Sequence, residues 1–276
     1  MTGSGTSMSR QLIVAGFHRS GTSLVCQLLG RAGLFLGYEL LGANRSNPYG
    51  HFEDVEILDL HKQILADNGK TWRVDEPFSP VLTDSHWRKM RRIIERRGAE
   101  HEAWGFKDPR VCLFLMVWKH LLPNARVLLV YRSFADSTHS LVRRRAMEMF
   151  SKGGDRQRLG QFWDEPDLAL RMWLVHNEAL IAFARAYPED TLTVSLDMVR
   201  DGFPLAGAVN RRWDFGLDDV RASEVFDPSV TFGRHGRQPV SDGRLIPRVE
   251  KVWRELVQMS EKTRQLMTGG AAVAGR

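Results

Sequence analysis

Between Gly16 and Ser23 the chain reads Gly-Phe-His-Arg-Ser-Gly-Thr-Ser, two glycines with four residues between them and a run of small hydroxylated residues after. Such a loop, preceded by an apolar strand run and followed by a helical one, turns backbone N–H groups toward an anion at a helix N-terminus. Thr22 follows Gly21 where a nucleoside-triphosphate loop carries the lysine that reaches the β- and γ-phosphates, which argues against an ATPase or kinase. The cation lies inside the loop instead, at Arg19. With Ser20, Gly21, Thr22 and Ser23 it suits a shorter anion, one 5′-phosphate bearing one transferable group. Taken alone, the same glycines also fit a plain tight turn.

A second candidate anion site lies downstream. Val130-Tyr-Arg132 ends the clearest strand of the chain, and Ser140 follows eight residues later, one to two turns into the next helix. An Arg at a strand end and a Ser on the following helix suit a second phosphate near the first, although each by itself also suits capping or an exposed position.

These residues need elements to hold them. Leu12 to Gly16 reads as a buried strand, and Leu24, Val25, Leu28, Leu29 and Ala32 recur at helical spacing behind the loop. A helix is predicted from about Glu53 to Leu65, a strand over Trp104 to Phe106, a helix from Cys112 to Leu122, a strand from Arg126 to Tyr131, helices over Ala135 to Phe150 and Asp167 to Tyr187, and a strand from Thr191 to Leu196. Gly233, Gly236, Pro239 and Gly243 mark a long loop from Phe226 to Pro247, and Arg248 to Met267 closes the pattern as a helix. Strands alternating with helices predict a three-layer α/β sandwich with a central parallel sheet and ligands at the C-terminal strand ends. No repeat or low-complexity linker divides residues 1–276, so a single domain is expected, with 1–10 and 269–276 flexible.

The 276 residues carry a formal net charge of +6, and arginine outnumbers lysine, so anionic ligands are favoured. The clusters Trp87-Arg-Lys-Met-Arg-Arg and Arg143-Arg-Arg145 are read as solvated helix faces rather than a nucleic-acid surface. Cys26 and Cys112 are far apart and in no metal-ligand spacing, so buried thiols are expected and no metal is implied. No signal-peptide core or bilayer-length apolar run is visible, so a cytoplasmic protein without a membrane span is expected.

With these motifs in place, the sequence resembles the superfamily of sulfotransferases that use 3′-phosphoadenosine-5′-phosphosulfate (PAPS). Gly16 to Ser23 is similar to the family's 5′-phosphosulfate loop, Tyr131 to Ser140 to its 3′-phosphate segment, and Trp104-Gly-Phe-Lys-Asp-Pro-Arg110 supplies a third match within roughly the first 150 residues. The resemblance implies the P-loop NTPase-like sulfotransferase fold, PAPS as donor and 3′-phosphoadenosine-5′-phosphate (PAP) as product, transferring to a hydroxyl of a small-molecule, carbohydrate or lipid acceptor. It implies that Arg19, Ser20, Gly21, Thr22 and Ser23 bind the 5′-phosphosulfate and that Arg132 and Ser140 bind the 3′-phosphate. Lys107 occupies a position resembling the catalytic lysine of tyrosylprotein sulfotransferases, with Asp108 or Arg110 to orient it; a turn with Lys107 exposed is the competing reading. Glu53, after the Asn47-Pro-Tyr-Gly-His-Phe loop, is the first candidate for the base that takes the acceptor proton, and His51 the second. Glu53 equally suits the first turn of a helix. Arg234 in the late loop is a further candidate cofactor contact. His18, Cys26 and His139 are read as packing or capping residues. The alternatives are a P-loop kinase and a non-catalytic anion- or nucleic-acid-binding module.

Overall fold

The computed structural model describes residues 9–43, 50–150, 160–225 and 240–268. Arg234, most of the 226–247 loop and the 269–276 tail lie outside the described residues.

Four strands form one sheet in the order β2-β1-β3-β4, where β1 is Arg10–Ala15, β2 Ala103–Lys107, β3 Arg126–Tyr131 and β4 Thr191–Ser195. All three pairings are parallel, with Val14 level with Lys107 on one side and with Leu128 on the other. Alternation along the strands divides the core between two faces. Ile13, Ala15, Trp104, Phe106, Val127 and Leu129 pack beneath α2 (Val55–Asp67), α3 (Asp84–Glu100) and α4 (Leu115–Leu121). Leu12, Val14, Leu128, Val130, Leu192 and Val194 pack beneath α1 (Thr22–Arg31) and two later helices, Leu196–Arg200 and Leu205–Trp213. This is the expected three-layer α/β arrangement. Trp104, Trp118 and Trp173 are fully buried, and truncation of such a residue costs about 3–5 kcal/mol.

A third cluster gathers at the strand ends, where α5 (Phe134–Met149), α6 (Leu168–Ala186) and the closing helix Leu245–Thr268 surround Phe17 and Tyr131. The closing helix also covers the open edge of β4, where Thr263 Oγ1 accepts from Thr193 N–H at 3.1 Å. It begins three residues before the expected Arg248. Pro247 is accommodated in its first turn, where N–H groups have no intrahelical partner and the fixed φ is already helical.

Two further boundaries differ from the sequence expectation. The predicted Cys112–Leu122 helix is a 3₁₀ segment, Pro109–Leu113, followed by α4, because Asp108 caps and Pro109 starts a turn that Phe114, at φ −121°, interrupts. Helix α2 starts at Val55 because Asp54 is its N-cap, its side chain accepting from Ile57 N–H at 3.2 Å. Glu53 therefore precedes the helix instead of sitting in its first turn.

Candidate active site

The chain leaves β1 toward β2 on one side of it, then crosses to β3 on the other, so the C-terminal ends of β1 and β3 flank a topological switch point, the place where open α/β sheets bind ligands. The Gly16–Ser23 loop fills this crevice. A Cβ on Gly16 would lie 2.3 Å from the Val130 carbonyl oxygen of β3, so only glycine lets the loop leave the sheet this closely. Gly21 has φ +90° and a Cβ there would meet Leu196 Cδ1 at 2.4 Å; it is the N-cap of α1 and offers no side-chain oxygen. By contrast α2, α3 and α5 are capped by the side chains of Asp54, Thr83 and Ser133. The helix behind the loop thus keeps its positive end without an internal anionic or hydroxyl cap, the arrangement that suits an external oxyanion. Ser20 is fully buried and its Oγ has no hydrogen-bond partner, a further donor within the loop.

Among the described residues, Arg19 is one of the few non-glycine residues with a left-handed backbone, φ 66°, and Phe52 at φ 51° is another; both border the site, where such strain tends to concentrate. From this backbone Arg19 Nε donates to Ser140 Oγ at 2.9 Å, bridging the loop and α5. Arg132, the first residue after β3, is tethered to Asp136 Oδ2 at 3.9 Å, while Asp136 N–H is held by the Ser133 cap at 3.1 Å. Burial, with Arg144 and Arg132 nearby, lowers the Arg19 guanidinium to about 10, so it stays charged at neutral pH.

Lys107 ends β2 and is 1% exposed, contrary to the reading of an exposed turn. Its Nζ donates to the His51 carbonyl and approaches Glu53 Oε1 at 3.4 Å. The same His51 carbonyl accepts from Ser23 Oγ at 2.9 Å, so the backbone of His51 joins the first turn of α1 to the lysine. The Glu53 carboxylate also stands 3.8 Å from His51 Nδ1 and 3.9 Å from Arg110 Nη1. Its position is fixed from the next residue, since Asp54 pairs with Arg97 of α3 at 2.6 Å with both side chains buried. The His51 imidazole is held down to about 4 by burial first, then by the charges of Arg144, Lys107 and Arg19. Protonation would add a cation among cations.

Asp108 does not orient Lys107. Its Oδ1 accepts from Arg110 Nη1 at 2.6 Å, and its Oδ2 lies 2.7 Å from His61 Nδ1. Trp118 Nε1 donates to His61 Nε2 at 2.9 Å, which assigns the ring proton to Nδ1 and points it at Asp108. Burial raises the Asp108 carboxyl, but Arg110 and His61 outweigh it and hold the acid well below the usual carboxylate range. The network fixes Arg110, which in turn faces Glu53.

The structure therefore brings Arg19, Ser20, Gly21, Thr22, Ser23, His51, Glu53, Lys107, Arg132 and Ser140 to one end of the sheet. Sequence reasoning missed the Asp108–His61–Trp118 chain, whose members are contributed by three separate segments. It also misread part of the arginine run: Arg143 is exposed, but Arg144 and Arg145 are half-buried toward the site. Arg88, Lys89, Arg91 and Arg92 of α3 are solvent-facing as expected. Cys26 and Cys112 are free and buried, their thiols pushed up by burial. No group of metal-ligating side chains is present among the described residues, and no described helix is long and apolar enough to cross a membrane.

No protein-family model matches the chain, and a search of curated proteins returns no match. Among solved structures, the chain is similar to the sulfotransferase STF1 from Mycobacterium tuberculosis H37Rv, with 16% sequence identity, a TM-score of 0.42, and 95% of this chain and 77% of that one covered.

Proposed function

We propose that this chain is a PAPS-dependent sulfotransferase acting on an acceptor hydroxyl. The observation that carries the reading is the 2.9 Å hydrogen bond from Arg19 to Ser140, because it makes one site of two anion motifs that are 121 residues apart. One motif suits a 5′-phosphosulfate and the other a 3′-phosphate. The residues fit such a donor: the glycine loop has no room for side chains at Gly16 or Gly21, Ser20 has a buried hydroxyl without a partner, and Arg132 stands at the end of the adjacent strand.

PAPS supplies the sulfuryl group and leaves as PAP. In this assignment the loop from Arg19 to Ser23 holds the 5′ end, and Arg132 with Ser140 holds the 3′-phosphate. Arg19 and Lys107 place positive charge at the ends of two adjacent strands, which a loose in-line transfer requires as negative charge moves to the leaving group. Glu53, beside Lys107, receives the acceptor proton; the His51 imidazole, 3.8 Å from Glu53, is the second group able to do so.

The test is calorimetric titration with PAP, ATP and AMP. The reading expects micromolar affinity for PAP alone, about 8 kcal/mol, and a loss of roughly 10- to 100-fold for PAP but not AMP in Arg132→Ala, as for a charge-assisted hydrogen bond. Equal affinity for PAP and AMP overturns it, and Mg-dependent ATP turnover replaces it with a kinase.

A further inference from the structure

Arg144 and Arg145 follow each other on α5 and share one carboxylate. Arg144 Nε donates to Glu148 Oε1 at 2.8 Å, and Arg145 Nη1 to Glu148 Oε2 at 2.5 Å. Two guanidiniums on one acid leave an excess of positive charge in side chains that are each 19% exposed. The pair lies near the candidate centre, where the charge of Arg144 lowers Arg19 and His51 against the opposing charge of Glu148, and that of Arg145 lowers His18.

The donor motifs account for Arg19, Arg132 and Ser140 but not for this pair. Arg145 lies five residues beyond Ser140, about 7.5 Å further along the helix. There its guanidinium lies over the Trp72 ring, 4.3 Å from the centroid, and its Nε is buried without a hydrogen-bond partner. The Trp72 ring meets His18 edge-on at 5.1 Å, and His18 Nε2 is likewise buried and unpartnered. A stacked arginine with an unused donor, beside a second unused polar atom and an aromatic wall, has the composition of a ligand subsite.

The geometry points to an acceptor subsite for an oxyanion: the acceptor carries a carboxylate, phosphate or sulfate group, held by Arg145 with Arg144 beside it and packed against Trp72. The inference rests on the sulfotransferase reading and narrows it to hydroxyl compounds that are themselves acids. A guanidinium fork matches two oxygens of such a group, and an incoming anion relieves the repulsion between half-buried like charges.

The experiment uses the whole protein labelled with 5-fluorotryptophan, saturated with PAP so that both donor phosphate positions are filled, and titrated with inorganic sulfate as the probe. The Trp72 fluorine resonance is assigned from Trp72→Phe. A saturable shift of that resonance is expected with PAP in place. Arg145→Ala should weaken it by about tenfold or more, the loss of one charge-assisted contact, Arg145→Lys should restore part of it, and Arg91→Ala on the exposed face of α3 should leave it unchanged. PAP affinity of each variant reports that the fold is intact. No saturable shift with PAP bound, or an equal shift in Arg145→Ala, overturns the subsite alone. Failure of PAP to bind overturns the donor reading and the subsite with it.

Discussion

The ammonium of Lys107 and the carboxylate of Glu53 lie 3.4 Å apart, and the lysine is held there by the carbonyl of His51, the residue two before its partner. A pair assembled for chemistry loses rate when either member is changed, whereas a pair assembled for stability loses only its melting temperature. Glu53→Gln and Lys107→Met should each lower turnover by about 10²-fold or more while changing PAP affinity little. Initial rates with labelled PAPS and PAP calorimetry on the same preparations check this. Unchanged turnover in Glu53→Gln transfers the base to His51.

Gly21→Ala should remove PAP binding and destabilise the protein by roughly 1–3 kcal/mol, from a strained left-handed backbone and a methyl driven into Leu196. Urea unfolding gives the stability term and calorimetry the binding term. A variant that binds PAP normally shows that the turn tolerates a side chain and that the loop is not the anion cradle.

Asp108 is predicted to be a stabilising acid. Its folded-state pKa lies below the unfolded value of about 3.9, so its contribution is fully present above that pH and is lost only as pH falls further toward its depressed folded value. Asp108→Asn, which leaves Arg110 and His61 without their shared carboxylate, should cost about 3 kcal/mol at pH 7. The gap between wild type and variant should narrow below about pH 4. Unfolding curves at pH 7 and pH 3 measure both values.

Mild acid acts through different groups. His51 and His176 are held down to about 4 and His18 is also depressed, each by burial first, so all three are neutral in the fold. The unfolded chain takes up their protons near pH 6.5, so this stability is fully present above pH 6.5 and declines as pH falls toward the folded values. His176 alone accounts for about 2 kcal/mol of the loss between pH 7 and pH 5. His176→Gln should flatten the pH dependence of urea unfolding over that interval, and an unaltered slope excludes the assignment.

The strands, the loop and the helix behind it were legible because they rest on short-range signals: an apolar run, two glycines at fixed spacing, a helical period. The placement of Arg132 and Ser140 at one end of the sheet was legible for the same reason, since a strand end and the helix that begins two residues later set their spacing. The surroundings of Lys107 were not, because Asp108 turns away to His61 and Trp118 and the lysine is satisfied by a backbone carbonyl, which leaves no mark on side-chain identity. The role of Arg97 was hidden in a charged run, although its side chain is fully buried and fixes Asp54 beside Glu53. Arg144 and Arg145 read as a solvated face because only the packing of α5 distinguishes an arginine turned inward from its exposed neighbour Arg143. Pairings of this kind are set by tertiary geometry, and a linear pattern carries little of it.

The register of β1 has a consequence for the order in which the molecule can be built. Arg10 pairs with Ala103, and Leu12 with Arg126, so the central strand is translated well before either of its neighbours. Until β2 has left the ribosome, this apolar ribbon and the glycine loop behind it have no sheet to join. The anion cradle is then a late product of folding, completed only when Val130 arrives beside Gly16, and a nascent chain stalled ahead of β3 exposes an adhesive strand instead of a binding site.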